Sequence, residues 1–355
     1  MESTIALAWS CPRCRGRLEP GQEEWLCHGC NSSFPAWRGI PDLRTQDDEF
    51  LDNQADRDYA MRLLVDFDRC DFAALLERYF DLSPGMPADL RRRQINHIRT
   101  APGRVRHWLD ALGGPTRGPL LDLGCGTGSF LAAVGRELPD VCGVDIALRW
   151  LVVARKRLDE EGLGHVPLVC ACAEDLPIDG ASLDAVVAGD VIEHVGDQAA
   201  TLAEAHRVLR PGGRLFLASP NRYSLAPEPH VGVWGVGFLP RRWMGAYVRR
   251  VRGIEYRAVR NLGFREWRRL LAASPFRGGS ISVPALPEAD LAHFGRFKRF
   301  AARCYNAVVA RPPGRQLGLA VGPLFHVVCT RPAPGTPAMP SPATPRRSRR
   351  SPARG

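Results

Sequence analysis

The amino-acid sequence predicts an α/β fold in which helices cover both faces of a parallel sheet, preceded by a small cysteine-rich module. From Pro119 onward, short apolar runs alternate with amphipathic segments, as they do where each strand is followed by a helix. Ahead of this region, four closely spaced cysteines lie in a stretch with several glycines and prolines and few helix signals. The chain has 355 residues, 45% of them hydrophobic, which is enough for one large core and a smaller module.

The pattern divides the chain into four parts. They are the cysteine-rich module, a helical segment, the sheet region and a basic tail, at residues 1–45, 46–118, 119–330 and 331–355. Two insertions, 222–262 and 286–319, interrupt the sheet region. The helical segment places apolar residues three and four positions apart in Tyr59–Leu76 and again from Val105. The tail is rich in Pro, Ser and Arg, and we expect it to be disordered.

Five apolar runs are predicted as buried strands and the segments between them as helices. The predicted strands are Leu120–Leu123, Val141–Val144, Leu168–Cys172, Leu183–Ala188 and Arg214–Ala218. The predicted helices are Ser129–Leu138, Leu148–Glu161 and Gln198–Leu209. A further helix is expected at Arg265–Ala273, with strands at Ser280–Val283 and Leu324–Cys329. Because strands alternate with helices, we expect a parallel sheet.

The net charge of +10 does not by itself indicate a nucleic-acid partner. The tail holds six arginines and no acid, so the rest of the chain is only mildly basic. No apolar run approaches the roughly 18 residues of a membrane-spanning helix, and no signal peptide is visible at the N-terminus. Eleven cysteines, most of them scattered, do not form the dense pattern of a secreted disulfide scaffold. We therefore expect a soluble protein of the cytoplasm with reduced thiols.

Four cysteines near the N-terminus have the spacing of a metal site. Cys11 and Cys14 form one C-x2-C pair, and Cys27 and Cys30 form a second pair twelve residues later. Four thiolates from two such pairs suit tetrahedral zinc. Because four thiolates leave no position open for water, the predicted role of the zinc is structural.

The sequence around these cysteines resembles a known module. The matching runs are Cys11-Pro-Arg-Cys14, Trp25-Leu-Cys-His-Gly-Cys30, Phe34-Pro35 and Gly39-Ile-Pro-Asp-Leu43. They are similar to the small zinc ribbon of the tRNA methyltransferase activator family, and similar modules are fused in front of bacterial methyltransferases. The resemblance implies a module that positions or binds a partner, and it does not name a substrate.

A glycine-rich loop follows the first predicted strand of the sheet region. Asp122 precedes Gly124, Gly126 and Gly128, and a helix is predicted to follow. Glycines at these positions allow a tight turn and a close approach of a ligand to the backbone. The dinucleotide pattern G-x-G-x-x-G would need glycine where Ser129 stands, so the loop favours a different nucleoside ligand.

Acidic residues lie at the ends of the next three strands. Asp145 ends the second strand, where it is placed to accept hydrogen bonds from both ribose hydroxyls. Glu174 and Asp175 follow the third strand, within reach of an adenine edge. Asp190 and His194 follow the fourth strand, at the carboxyl edge of the sheet where ligands of such folds lie.

Together these motifs resemble the class I S-adenosylmethionine-dependent methyltransferases, in the branch that includes quinone-biosynthesis enzymes. The resemblance covers residues 119–221 and implies a Rossmann-like methyltransferase sheet with S-adenosylmethionine as cofactor. It places Asp122 and the three loop glycines at the methionine end of the cofactor. It also places Asp145 at the ribose, and Glu174, Asp175 and Leu176 at the adenine. Asp190 is expected beside the cofactor.

Methyl transfer from S-adenosylmethionine needs little acid–base chemistry from the protein. A base is needed only when the acceptor is a hydroxyl group of high pKa. His194, just past the fourth strand, is the first candidate, with a hydrogen-bonded structural histidine as the alternative. Glu228 and His230 are rival candidates on the loop after the fifth strand, with a solvated loop as the alternative.

The two insertions bear on the acceptor. Residues 222–262 interleave arginines with aromatic side chains, which suits a phosphate clamp, a membrane surface or a helical lid. Residues 286–319 are expected to complete the acceptor pocket.

Three functions remain open. The favoured one is methylation of a hydroxyl on a small or lipid-linked metabolite, because no Asn-Pro-Pro-Tyr or Asp-Pro-Pro-Tyr type motif follows the fourth strand. An RNA methyltransferase is the alternative that the zinc ribbon and the arginine-rich helices would suit. The third is a cofactor-binding adaptor without catalysis, which would bind a protein partner through the ribbon.

Overall fold

The computed structural model describes residues 8–46, 48–49, 51–83, 86–257, 259–276, 278–286, 291 and 295–333. The predicted disordered tail lies outside the described residues from position 334 onward, as do parts of the insertion at 286–319. Among the described residues, no helix combines the length and the apolar composition that a membrane crossing needs.

The cysteine-rich module is a four-stranded antiparallel sheet of short strands. Its strands are β1 (Leu18–Glu19), β2 (Glu24–Cys27), β3 (Ser32–Trp37) and β4 (Ile40–Pro41). Buried and exposed residues alternate along β2 and β3, so one face of this small sheet packs inward.

Four helices follow the module. They are α1 (Asn53–Asp66), α2 (Phe72–Asp81), α3 (Ala88–Val105) and α4 (Trp108–Leu112). The predicted helical stretch Tyr59–Leu76 is thus two helices. The chain breaks after α1 because the Asp71 side chain accepts a hydrogen bond from the backbone N–H of Ala74 and so caps a new helix.

The main sheet has seven strands in the order β10-β11-β9-β8-β5-β6-β7. They are β5 (Leu120–Leu123), β6 (Val141–Asp145), β7 (Leu168–Cys170), β8 (Leu183–Gly189), β9 (Leu209–Pro220), β10 (Ser280–Ser282) and β11 (Leu324–Thr330). Strands β5 to β9 are parallel, whereas β11 runs antiparallel to β9 and β10 antiparallel to β11. The expectation of a parallel sheet is therefore wrong for the last two strands, and the sheet is mixed.

Within the described part of the chain, seven further helices lie between or after these strands. They are α5 (Ser129–Val134), α6 (Leu148–Glu160), α7 (Gln198–Val208), α8 (Arg241–Arg252), α9 (Phe264–Ala273), α10 (Arg296–Val309) and α11 (Pro312–Val321). A short 3-10 turn, Val236–Phe238, precedes α8.

Each face of the main sheet has its own hydrophobic core, which confirms the predicted α/β class with helices on both faces. Leu120 points into a core that includes residues of α1 to α6. Its neighbour Leu121 points into the opposite core, which includes residues of α7 and α9. The module contributes Trp9 and Trp25 to this second core, so it packs as part of the molecule.

Backbone hydrogen bonds join the module to the edge strand β7 and to the loop after it. The N–H of Leu43 donates to the carbonyl of Cys170 at 2.8 Å, and the N–H of Ser10 donates to the carbonyl of Pro177 at 3.0 Å. The module therefore covers an edge that would otherwise present unpaired backbone groups.

A buried ion cluster fastens the end of the module to the helices. The Arg44 guanidinium contacts Asp42 at 2.7 Å and Asp56 at 2.8 Å, and all three side chains are fully buried. Arg44 also donates to the carbonyl of Ile146 at 3.0 Å, and Asp56 accepts from the N–H of Leu148 at 2.8 Å. This cluster sets the position of the turn between β6 and α6.

Candidate active site at the carboxyl edge of the sheet

The glycine-rich loop joins β5 to α5 in a conformation that needs glycine. Gly124, Gly126 and Gly128 have φ values of +68°, +50° and +70°, in the left-handed region that disfavours other residues. A Cβ on Gly124 would lie 2.2 Å from a methyl group of Val191, whereas one on Gly126 would have nothing within 4 Å. The side of Gly126 is thus open to a ligand.

Asp122 is buried beneath this loop. One of its carboxylate oxygens has no hydrogen-bond partner among the described residues. Burial, together with the charge of Asp145, raises the pKa of Asp122 well above its ordinary value. A buried carboxyl group with an unsatisfied oxygen is suited to a cationic or hydrogen-bonding ligand.

Asp145 lies at the end of β6, opposite the loop. Its carboxylate accepts hydrogen bonds from the N–H groups of Gly126 and Ala147, each at 2.8 Å. Burial raises the pKa of Asp145, and these two hydrogen bonds oppose that shift. Each carboxylate oxygen keeps a second lone pair for a ligand hydroxyl.

Two adjoining cavities meet at the loop. A cavity of about 410 Å³ is lined by Asp145, Glu174 and His194 among others. A cavity of about 400 Å³ is lined by Asp122, Trp108 and His326 among others. The residues that line both are Gly124, Gly126, Trp150 and Asp190. The geometry therefore joins a cofactor-sized space to a second space on the far side of the loop.

Two of the predicted adenine contacts do not line these cavities. Asp175 pairs with Arg15 of the cysteine-rich module and accepts a hydrogen bond from Thr45 at 3.0 Å. The side chain of Leu176 is fully buried, and its N–H donates to Glu204 at 2.9 Å. Glu174 does line the first cavity, and its carboxylate also accepts from the N–H of Asp197 at 3.2 Å. The adenine roles of Asp175 and Leu176 stay predictions.

The three candidate bases are in contact with one another. Nε2 of His194 lies 3.0 Å from Nε2 of His230, and Nδ1 of His230 lies 2.6 Å from a carboxylate oxygen of Glu228. The amide of Asn261 also donates to Glu228 at 3.3 Å. The rival candidates of the sequence thus form one chain of hydrogen bonds, which reaches the cofactor-sized cavity at His194.

The charges in this chain reinforce one another. Burial lowers the pKa of His230, but the hydrogen bond and the charge of Glu228 outweigh burial, so the pKa lies above its ordinary value. Burial raises the pKa of Glu228, but the same contact outweighs it and holds that pKa below its ordinary value. Beside the chain, burial and the charge of Asp190 raise the pKa of Glu193 to about 8. Glu193 therefore holds its proton more tightly than an ordinary carboxyl group does.

The insertion at 222–262 supplies part of this chain. Val231, Met244 and Val248 belong to a small separate hydrophobic core that holds the segment together. Arg222 and Arg241 both pair with Glu266, at 3.2 and 2.9 Å. These two arginines hold the insertion against α9, and neither lines the two cavities described above.

Several side chains at the cavities have no motif in the sequence. Trp150 lines both cavities from α6, and Trp108 and His326 line the second. Burial lowers the pKa of His326 to about 4, with His107 adding to the shift, so this ring is neutral. Around Trp150 the sequence shows only the spacing of an amphipathic helix, and that spacing also fits a residue of the hydrophobic core.

The four cysteines of the module converge as predicted. The sulfur atoms of Cys11 and Cys30 lie 3.7 Å apart and those of Cys14 and Cys27 lie 3.4 Å apart, and all four lie within 4.8 Å of one another. A tetrahedral zinc site with Zn–S bonds of about 2.3 Å requires sulfur atoms about 3.8 Å apart. The four thiols fit such an ion.

Comparisons with known proteins find methyltransferases. Residues 121–217 match the family described as a methyltransferase domain. A ubiquinone biosynthesis O-methyltransferase of Paracidovorax citrulli (strain AAC00-1) is 33% identical over 161 residues, which is 44% of this chain and 62% of the relative. An uncharacterized 37.1 kDa protein in transposon TN4556 of Streptomyces fradiae is 38% identical over 120 residues, which is 33% of this chain and 34% of that protein. The chain thus spans less than two thirds of either relative.

Among solved structures, a geranyl diphosphate C-methyltransferase from Streptomyces coelicolor A3(2) is 18% identical with a TM-score of 0.42. That similarity covers 64% of this chain and 77% of that chain. No conclusion about function follows from a similarity at this level. Residues 121–217 thus match a methyltransferase domain, and their strand order and glycine-rich loop are those of a Rossmann-like sheet.

Proposed function

We propose that this chain transfers a methyl group from S-adenosylmethionine to a hydroxyl group of a small or lipid-linked metabolite. The observation that carries the proposal is the hydrogen-bonded chain Glu228–His230–His194, which reaches the cavity beside the glycine-rich loop. A base held in this way is useful for a hydroxyl acceptor, whose proton must leave.

The residues at the first cavity, together with Asp122 beneath the loop in the wall of the second cavity, fit the cofactor. Bound S-adenosylmethionine supplies a methyl group that its sulfonium already activates. The unsatisfied oxygen of Asp122 would accept from the cofactor's ammonium group, and Asp145 would accept from the ribose hydroxyls. The open side of Gly126 lets the ligand lie against the backbone.

The histidine chain would serve the acceptor. His194 would take the hydroxyl proton, and its hydrogen bond to His230, with Glu228 behind, would stabilise the positive charge that forms. His230 and Glu228 are then positioning residues, because neither lines the two cavities. The second cavity would hold the acceptor with its hydroxyl at the wall shared with the first cavity, where His194 lies, and would keep water away from the reacting atoms.

The relatives support methylation on oxygen. The Paracidovorax citrulli relative is named as a ubiquinone biosynthesis O-methyltransferase. We carry over its class of acceptor atom, a hydroxyl, and leave the identity of the acceptor molecule to experiment.

We further propose that Cys11, Cys14, Cys27 and Cys30 hold a structural zinc ion. The sulfur separations support it, as does the attachment of the module to the edge of the sheet. Elemental analysis of the purified protein would test it, with one zinc per chain expected and none after Cys11→Ser together with Cys14→Ser.

Two experiments test the function. Asp145→Ala should abolish binding of S-adenosylmethionine in calorimetry, whereas Asp140→Ala, just before the other end of β6, should leave it unchanged. Unchanged affinity in Asp145→Ala would overturn the assignment of the cofactor cavity.

The second experiment identifies the acceptor class. The protein is incubated with methyl-tritiated S-adenosylmethionine and a lysate of its source, and the label is followed into separate fractions. Label in the organic-soluble or small-molecule fraction supports the proposal. RNase-sensitive label would replace it with RNA methylation, and no label in any fraction would favour a cofactor-binding adaptor.

A further inference from the structure

Helix α10 carries an apolar stripe on its outer side. Phe297 and Phe300 are 83% and 67% exposed, and Val308 is 43% exposed. Cys304, also exposed, lies between them. The spacing of three, four and four residues puts these side chains on one face of the helix. The stripe therefore faces away from the protein.

The inner side of the same helix is packed and hydrogen-bonded. Ala302 and Val309 are buried. The hydroxyl of Tyr305 donates to the carbonyl of Pro284 at 3.0 Å, and the side chain of Asn306 donates to and accepts from the backbone of Leu286, at 2.9 and 2.8 Å. The orientation of the stripe is thus fixed by contacts on the opposite face.

Positive charge surrounds the stripe. Arg296 and Lys298 are exposed on α10, and Arg311 and Arg315 are exposed just after it. The sequence contains no Asp or Glu after Asp290. The exposed residues beside the apolar stripe therefore carry positive charge.

The helix lies beside the second cavity. Pro284 and Leu286, which it holds through Tyr305 and Asn306, line that cavity together with Ala285. A surface that binds to α10 therefore comes close to the wall of the space we assign to the acceptor.

We propose that α10 docks the protein on the surface of an anionic lipid bilayer. A helix with outward aromatic side chains between cationic ones lies in the plane of the interface, with its apolar face among the acyl chains and its charges at the headgroups. The charge of the segment is complementary to anionic headgroups. Nucleic acid would bind the cationic side chains but would leave the aliphatic end of the stripe, at Val308, exposed to solvent. A second copy would bring two positively charged segments together.

The docking does not depend on methyl transfer, so it is tested by binding alone. The full-length protein is sedimented with vesicles of phosphatidylcholine and phosphatidylglycerol, and separately with vesicles of phosphatidylcholine. Binding to the anionic vesicles is expected. The double variant Phe297→Ser and Phe300→Ser should weaken it at least about tenfold, because two exposed aromatic side chains no longer insert.

Two further variants isolate the cause. Arg296→Gln with Lys298→Gln should weaken binding about tenfold and reduce its dependence on salt. Val65→Ser removes a side chain that is 66% exposed on α1 and should bind as the wild type does. Thermal unfolding shows that each variant is folded.

Three results would overturn the proposal. The first is wild-type protein that stays in solution with anionic vesicles. The second is an unchanged affinity of the Phe297 and Phe300 double variant. The third is a wild-type dimer in light scattering that becomes a monomer in the same double variant, since the stripe would then be an interface between copies. Protein that binds single-stranded RNA and does not bind the vesicles would overturn the proposal in the same way as the first result.

Discussion

Gly124 and Gly126 have the same backbone conformation and different surroundings. Gly124→Ala would combine left-handed strain with a clash against Val191, and we expect it to destabilise the fold by about 2–4 kcal/mol. Gly126→Ala adds only the strain, about 1–2 kcal/mol, because nothing lies near its Cβ. That Cβ would stand in the ligand space, so Gly126→Ala should stay folded and lose most of its affinity for S-adenosylmethionine.

Urea unfolding and calorimetry on the two variants provide the measurement, and each variant is the control for the other. If Gly126→Ala bound the cofactor as tightly as the wild type, the open side of the loop would not be where the ligand lies.

The contact of Glu228 with His230 predicts a pH dependence. A histidine chain takes up the hydroxyl proton only when it is not already protonated, so activity should rise as the pH increases through the pKa of the chain. Burial lowers the pKa of His230, and Glu228 more than reverses that shift. Glu228→Gln removes the charge that favours the protonated ring, so the acid limb of kcat/KM should move to lower pH.

The measurement is a pH profile of labelled product with the acceptor fraction that the lysate experiment identifies. Ser219→Ala serves as the control, because Ser219 contacts Glu193 and not this chain. A profile of Glu228→Gln that coincides with the wild type would show that Glu228 does not act through His230.

At the scale of single residues, the local sequence predicts some features of the candidate site and not others. The positions of Asp122, Asp145 and the loop glycines in the fold were predictable because they depend on neighbours within a few positions. The contact between His194 and His230 joins residues 36 positions apart, and only the fold brings them together. The pair of Asp175 with Arg15 likewise joins distant positions, and nothing in the local sequence shows that Arg15 lies beside Asp175.

At the scale of elements, the buried cluster around Arg44 joins the module to α1 and α6. Arg44→Ala would leave Asp42 and Asp56 buried without this cation, and we expect a loss of about 3–5 kcal/mol in the free energy of unfolding. Arg38→Ala breaks an exposed pair with Asp68 and should cost at most about 1 kcal/mol. Urea unfolding of both variants measures the difference.

The same cluster responds to acid. Burial alone would raise the pKa of Asp42, but Arg44 and Arg57 outweigh it and hold the pKa below its ordinary value. The stabilisation is therefore present above the unfolded-state pKa of about 3.9 and is lost as the pH falls further.

Equal unfolding free energies for Arg44→Ala and Arg38→Ala would mean that the cluster does not fasten the module.

The elements themselves were largely predictable, because buried parallel strands are continuous apolar runs. The strands β5, β6 and β8 match their predicted ranges closely. The direction of β11 was not predictable, since an apolar run such as Leu324–Thr330 has the same appearance whichever way it pairs.

For the whole molecule, the module and the sheet share one hydrophobic core. Removal of the proposed zinc should therefore disturb more than residues 8–46. We expect a chelator to lower the melting temperature and to weaken binding of S-adenosylmethionine, because Leu43 holds β7, which ends at Cys170 beside Asp145. Added zinc should restore both.

Calorimetry and thermal unfolding with and without chelator provide the test. A chelated protein that has lost its zinc and still binds the cofactor with unchanged affinity would show that the module is energetically separate from the sheet.

The unsatisfied carboxyl group of Asp122 has a consequence for the heat of binding. Burial raises its pKa, and a cationic ligand that pairs with the carboxylate favours release of the proton from this group. The solvent buffer then takes up the proton and contributes its own ionisation enthalpy. The heat of S-adenosylmethionine binding should accordingly differ between phosphate and Tris at one pH, and Asp122→Asn should remove the difference.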